Sequence, residues 1–228
     1  MKIIIVPDVH GRPFWRKAKD EINNVDKVVF LGDYLDPYSY EGITEEQALE
    51  EFKEIVQFKK ENPNKVVLLI GNHCTPYIWI TRGYHCRHDY EREEEIHKLY
   101  CDNKDLFKTA FLLDRFLFSH AGVYKEWLDE INLKLDDFLY SDISFWDSMP
   151  GCLDYVSRNR GGRDLVSSCT WADISDMYDN HLLDDYYHIF GHTQLQFGPI
   201  ISNLEKWACL DVRRCFVLDT TTNNIEPL

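Results

Sequence analysis

Five short apolar runs recur along the chain, each closing on Gly, Asp, Asn or His: KIIIVPDVHG, KVVFLGDYLD, KVVLLIGNH, RFLFSHAG and YYHIFGHT. Runs of this length, closed by polar residues, predict buried strands that end in loops. Elsewhere the period changes. Residues 45–61, EEQALEEFKEIVQFKKE, place Ala48, Leu49, Phe52, Ile55 and Val56 on one face, and Thr44 with Gln47 has the spacing of a capping box. Strand, helix, strand, helix, strand predicts a parallel sheet with helices packed over it. Residues 76–112 are less regular, with a charged helical stretch, DYEREEEIHKLY, among many aromatics; residues 141–186 contain Gly151, Gly161 and Gly162 and read as long loop plus one short helix. KWACLDVRRCFVLDT predicts two strands joined by a tight turn near Val212 and Arg213. No repeat, low-complexity tract or Pro/Gly/Ser linker interrupts the pattern, so one domain over residues 1–228 is expected.

In α/β sheets the ligand crevice lies beyond the carboxyl ends of the strands, and this chain concentrates its Asp, Asn and His there. Asp8 and His10 are two apart, which in an extended segment points both side chains the same way. Asp33 follows the second run, Asn72 and His73 the third, His120 the fourth and His192 the fifth. A single strand-end His or Asp is more often a loop cap. Five sites in order, with carboxylates, imidazoles and an amide but no thiolate, form a ligand set for Mn, Fe or Zn rather than for Mg alone. Six such groups exceed what one ion needs, and a shared carboxylate can bridge two ions ~3.5–4 Å apart, the spacing that activates a water for attack on phosphorus.

Composition narrows this further. With 44% apolar and 14% aromatic residues the chain is globular rather than disordered. Its longest apolar runs fall far short of the ~20 residues of a membrane span, and MKIIIVPDVHG is too short for a secretory core. Seven scattered cysteines without a C-x-x-C pair fit free thiols in a reducing cytosol, so a cytoplasmic protein is expected. The 25 basic and 39 acidic residues, a net charge of −14, argue against wrapping nucleic acid. A small anionic substrate would then need locally concentrated positive charge, from arginine or bound metal.

The chain resembles the calcineurin-like metallophosphoesterases, whose ordered D-x-H, G-D-x-x-D, G-N-H, H-[AG]-G and G-H motifs are matched as DVHG, GDYLD, GNH, SHAGV and FGHT, from Asp8 to His192. The resemblance implies a four-layer α-β-β-α sandwich with mixed sheets and a binuclear site. One metal would take Asp8, His10 and the bridging Asp33; the other would take Asp33, Asn72, His120 and His192. It further implies a metal-bridging hydroxide as nucleophile, His73 as general acid and Asp36 as its orienting partner. SHAGV and the spacing look most like the branch of serine/threonine protein phosphatases and symmetrical dinucleoside-tetraphosphatases. RNRGG at 158–162 fits that branch's N-R-G motif and makes Arg160 the candidate phosphate clamp, a role suited to a planar guanidinium; Arg158 and Arg163 read as a solvated basic loop. Two transition-metal ions are implied as cofactors, with Mn expected to serve in assay.

Four positions depart from the pattern. Pro37 stands where the branch usually has Arg, with Arg82 or Arg12 as candidate replacements in phosphate binding. Gln194 stands where many members have a further His on the first metal. Pro7 replaces a usual Gly, and Cys74 follows GNH where Asp or Glu is common. Cys74 raises a thiolate mechanism, as does Cys152 with Arg158 in C-x5-R spacing. Leu153, Tyr155 and Val156 deny that loop the small residues an amide cradle needs. A structural zinc site from YHCRHD, Cys74, His97 and Cys101 lacks C-x2-C spacing. The alternative from another class, a metal-poor non-catalytic scaffold, is disfavoured because every expected ligand except that at Gln194 is kept. The substrate expected is a small phosphoester or phosphopeptide, with dinucleoside-polyphosphate or phosphodiester hydrolysis as the alternative on the same site. The segment from Tyr77 to Tyr90 is expected to overlook the site, as a stacking surface or as packing.

Overall fold

The computed structural model describes residues 1–80 and 86–228. The first strand, β1 (Lys2–Val6), leads through a short helix, α1 (Arg16–Asp20), to β2 (Lys27–Phe30). The long helix α2 (Glu45–Glu61) then returns the chain to β3 (Val66–Leu69). Helix α2 spans the residues its periodicity predicts, and buries Ala48, Leu49, Phe52, Ile55, Val56 and Phe58. Its N-terminus is closed by the reciprocal bonds of a capping box, Gln47 N to Thr44 Oγ1 at 3.1 Å and Thr44 N to Gln47 Oε1 at 2.9 Å. Glu45 and Glu46 at the start and Lys59 and Lys60 at the end complement its dipole.

Two short helices, α3 (Thr75–Trp79) and α4 (Glu93–Cys101), precede β4 (Phe107–Lys108), β5 (Ala110–Leu113) and β6 (Phe116–Ser119). After α5 (Lys125–Glu130) and α6 (Leu135–Leu139) come β7 (Tyr187–Phe190), β8 (Ile200–Ser202), β9 (Trp207–Cys209), β10 (Phe216–Asp219) and β11 (Asn224–Pro227). They form two mixed sheets, ordered β11-β10-β1-β2-β3-β4 and β5-β6-β7-β9-β8. Strands β1 to β4 are parallel neighbours, as expected, with antiparallel β10 and β11 added at one edge.

Period-two alternation divides each strand between two cores. Ile3, Ile5, Val29, Leu31, Val67 and Leu69 meet Phe118, Ile189, Ala208, Phe216 and Leu218 between the sheets. Ile4, Val6, Val28, Phe30, Val66 and Leu68 face the helical layer with Trp15, Phe52 and Phe58. Strands buried on both faces must be apolar at every position, which is why these runs are unbroken. The result is the four-layer α-β-β-α sandwich.

Three local expectations are corrected. Strands β9 and β10 do not form a hairpin: β9 lies between β7 and β8 in the second sheet, while β10 lies between β1 and β11 in the first. Residues 210–215 cross between the sheets, with Arg213 in the left-handed region at φ 60°, and Leu210 and Phe216 both enter the inter-sheet core. Crossing buries the same apolar positions that a hairpin would have buried. Residues 141–186 form four short 3-10 helices of three to six residues rather than one short helix. Their organiser is the buried carboxylate of Asp176, which accepts from Ser157 Oγ (2.6 Å), Asn159 Nδ2 (2.8 Å), Ser167 Oγ (2.9 Å) and the Asp173 amide (2.8 Å). Finally, the segment after β1 is not extended at His10, which has φ 47°.

Candidate metal centre

The loops after β1, β2, β3, β6 and β7 converge at one end of the sandwich and carry every sequence-predicted ligand. Their backbones turn sharply: His10, Asp33, Asp36 and His192 have φ of 47°, 50°, 59° and 61°. Non-glycine residues enter this region at a cost of order 1 kcal/mol each, and their clustering at one place marks a site that the surrounding structure holds under strain. Hydrogen bonds hold them there. His10 N donates to the Asp33 carbonyl (2.7 Å), His73 N to Asp33 Oδ1 (2.9 Å), and His192 N to Asp8 Oδ1 (2.9 Å).

Two glycines make room for the carboxylates. A Cβ on Gly71 would lie 2.2 Å from Asp33 Oδ1 and 2.6 Å from His120 Cε1, and one on Gly191 would lie 2.1 Å from Asp8 Oδ1.

The imidazoles are oriented by main-chain carbonyls. His10 Nδ1 lies 2.7 Å from the Leu35 oxygen and His120 Nδ1 lies 2.8 Å from the Leu31 oxygen. A carbonyl can only accept, so each ring carries its proton on Nδ1 and turns an Nε2 lone pair inward. Inside, His120 Nε2 is 2.9 Å from Asn72 Oδ1, 3.1 Å from His192 Nδ1 and 3.5 Å from Asp33 Oδ2. His10 Nε2 is 3.7 Å from the same Asp33 oxygen. Lone pairs thus converge on two points that share Asp33 Oδ2. Ligands ~2.0–2.2 Å from one ion stand about 3 Å or a little more apart, as these atoms do, so the donors fit a cation.

The electrostatics agree. Burial keeps His10 and His192 neutral by pushing them well below the ordinary histidine value. Burial also opposes the charge on Asp33, but His120, His73 and the hydrogen bond from the His73 amide overcome it and hold this carboxyl below its usual range. A neutral His10 and His192 beside an ionised Asp33 are the protonation states that metal binding requires.

Among the described residues, two tight groups of possible His, Cys, Asp or Glu ligands occur: His10, Asp33 and His73, and Asp33, His120 and His192. Asn72 joins the second through its amide oxygen. Asp8 is in neither group; its oxygens accept from the His192 amide, at 2.9 and 3.2 Å. No cysteine enters either group among the described residues; Cys101 Sγ lies 3.4 Å from His97 Nε2, one turn away on the same helix, and His85 of the candidate zinc cluster lies outside the described residues.

His73 Nδ1 lies 2.6 Å from Asp36 Oδ2, and Asp36 Oδ1 accepts from Tyr77 at 2.5 Å. Arg160 Nη2 donates to the His192 carbonyl (3.2 Å) and Thr193 Oγ1 (2.7 Å), while its Nε lies 2.7 Å from Asp173 Oδ2. Because Asp173, Ser157 and Asn159 are all tied to Asp176, that hub places Arg160 at the crevice.

Of the candidate replacements for an arginine at position 37, only Arg12 can be placed. Arg12 donates to Glu41 (2.9 Å) and to the Asp8 carbonyl (3.2 Å), away from the ligand atoms, and Arg82 lies outside the described residues. Gln194 is exposed and faces Arg213. In the described part of the aromatic segment, Tyr77 is buried and stacks on His88 at 4.2 Å, while Tyr90 at its other end is exposed.

Sequence reasoning missed Arg87, Asp211 and the bond from Tyr77 to Asp36. Asp211 continues the β7–β9 register level with His192 and is buried with Oδ1 unpartnered. Burial and the charge of Asp8 push it well above the carboxylate range. Only its place at the end of a strand could have flagged it.

This fold and this strand-end constellation define an enzyme of phosphate esters. The calcineurin-like phosphoesterase family model matches residues 1–196, and the chain belongs to that family. It is a phosphoester-hydrolysing enzyme. Solved structures similar to it include a serine/threonine phosphatase from Saccharomyces cerevisiae with similarity to human phosphatase PP5, at 14% identity and TM-score 0.61, covering 100% of this chain and 79% of that one. Another is a cold-active protein tyrosine phosphatase, at 17% identity and TM-score 0.53, covering 100% and 78%. At these identities the likeness is one of fold. No curated protein matches the chain by sequence at a significant level. No helix among the described residues is long and apolar enough to cross a membrane.

Proposed function

We propose that the crevice is a phosphatase site in which Asp8, His10 and Asp33 hold one metal ion and Asp33, Asn72, His120 and His192 hold a second. The observation that carries this reading is the convergence of lone pairs on two points sharing Asp33 Oδ2. When bound, the ions supply an activated water and neutralise charge developing on phosphorus; Mn, Fe or Zn suits the donors.

The chain's own residues do the rest. Arg160, fixed by Asp173 and Thr193, binds a phosphate oxygen and stabilises the charge that develops on it. His73 holds a proton on Nδ1 against Asp36 and presents Nε2 to the crevice, where it protonates the leaving oxygen. Asp36 fixes the ring through that hydrogen bond. A groove of about 700 Å3, lined by Tyr40, Gln194, Phe197 and Arg213 among others, begins two residues after His192 in the chain and would take the leaving group of a small phosphoester or phosphopeptide. The seven free thiols support a reducing, cytoplasmic setting.

Metal analysis of the purified protein, followed by hydrolysis of p-nitrophenyl phosphate with added Mn, tests the reading. Two ions per chain and Mn-dependent turnover are expected. A folded protein that takes up no metal and shows no turnover overturns it.

A further inference from the structure

Four arginines surround the crevice among the described residues, and three are matched by carboxylates. Arg12 Nε and Arg213 Nη1 share Glu41, at 2.9 and 3.1 Å, and Arg160 Nε has Asp173 at 2.7 Å. Arg87 has no carboxylate within ion-pair distance among the described residues. Its Nε and Nη2 donate to the main-chain carbonyl of Asp36, at 3.1 and 2.8 Å. The guanidinium lies over the Tyr38 ring, 3.7 Å from its centre, and that ring meets His10 edge-on at 5.3 Å.

These contacts fix a half-buried cation in place without neutralising it, which is costly unless an anion arrives. The neighbouring residues 86–89 are anchored at the site as well. Cys86 Sγ lies 3.4 Å from the side-chain nitrogen of Asn72, and the Asp89 amide donates to Tyr77 Oη at 2.7 Å. The whole strap therefore docks on the elements that carry Asn72, His73 and Asp36.

We propose that Arg87 binds a non-bridging oxygen of the substrate phosphate from the Asp36 side, while Arg160 binds from the His192 side, and that Arg87 thereby makes the enzyme prefer phosphomonoesters to diesters. This rests on the phosphatase reading above. A monoester carries a second negative charge and a third non-bridging oxygen, which a planar guanidinium can take. A diester replaces that oxygen with a second ester group, which has no charge to offer Arg87.

The test uses the Mn-loaded full chain, p-nitrophenyl phosphate against bis(p-nitrophenyl) phosphate, and calorimetric titration with inorganic phosphate. In Arg87→Ala, phosphate affinity and monoester kcat/KM should fall roughly ten- to a hundredfold while diester kcat/KM changes less than about threefold, with bound Mn unchanged. Arg87→Lys should recover part of the loss, keeping the charge without the fork. Arg87→Gln keeps a donor for the Asp36 carbonyl without the charge, and should behave like Ala; if Gln restores wild-type phosphate affinity, Arg87 only props the Asp36 loop and the proposal fails. Equal losses on both substrates, or unchanged phosphate affinity in an active enzyme, also overturn it. Should Arg87→Ala fail to fold, the Lys and Gln variants decide. Wild-type protein that binds Mn but neither phosphate nor either ester would remove the phosphatase reading and this proposal together.

Discussion

Nδ1 of His73 lies 2.6 Å from Oδ2 of Asp36, and the other oxygen of that carboxylate accepts from Tyr77, so the imidazole is held by a partner that is itself held. Burial works against a charged His73, but the charge of Asp33 and the hydrogen bond it donates to Asp36 raise it above the ordinary histidine value. An acid poised in this way matters most when the leaving group is poor. His73→Ala should therefore slow an alkyl phosphate by about 10²–10⁴-fold and p-nitrophenyl phosphate much less, with metal content near wild type. Steady-state rates across a series of leaving groups check this. A uniform loss across the series would remove the acid role.

Gly71 and Gly191 lie where a methyl group would strike the ligand carboxylates, at 2.2 Å from Asp33 Oδ1 and 2.1 Å from Asp8 Oδ1. Neither has positive φ, so alanine is acceptable to the backbone and the effect falls on the carboxylates. Gly71→Ala, beside the shared Asp33, should lower the content of both metals, whereas Gly191→Ala should lower mainly the one that Asp8 serves. Gly151→Ala, with nothing within 4 Å, is the control and should keep both. Metal analysis after dialysis reads the difference, and full occupancy in Gly71→Ala would show that Asp33 does not bridge.

Cys74 is almost fully buried, accepts from the Gly71 amide at 3.2 Å, and has its thiol pushed up to about 12, chiefly by burial. It is a protonated packing residue at neutral pH. Cys74→Ser should keep most of the activity and lose about 1–2 kcal/mol of stability from the buried hydroxyl. Complete loss of turnover in a folded Cys74→Ser protein would instead point to a thiolate mechanism.

The five strand ends were legible in the sequence because a strand buried on both faces leaves an unbroken apolar run, and the residue where the run stops is where the crevice begins. Helix α2 was legible because its capping bonds and apolar face are local. The partner of β10 was not, since Leu210, Phe216 and Leu218 enter the same core whether the chain turns back or crosses to the other sheet. Nor was the left-handed turn at His10, a conformation that its residue type disfavours and only tertiary hydrogen bonds maintain. Arg87 and Asp211 owe their places to contacts far away in sequence, with Asp36 and Tyr38 for one and the neighbouring strand β7 for the other. No spacing rule along the chain reports such contacts.

His188 offers a pH test of the fold that is separate from the metal centre. It lies buried on β7, bonds the Leu183 carbonyl through Nε2 at 3.0 Å, and has no partner for Nδ1. Burial lowers it to about 4 from the ordinary 6.5. Between those two values the unfolded chain binds a proton that the folded one refuses, so stability falls as the pH drops from about 6.5 to about 4. A shift of this size corresponds to roughly 3 kcal/mol at its full extent. His188→Gln keeps a donor for Leu183 but cannot take up the proton. The stability difference between wild type and variant should therefore be constant above pH 7 and move in the variant's favour as the pH falls toward 4. Urea unfolding at a series of pH values measures it, and parallel wild-type and variant curves over that range would show that His188 is already able to charge in the folded protein.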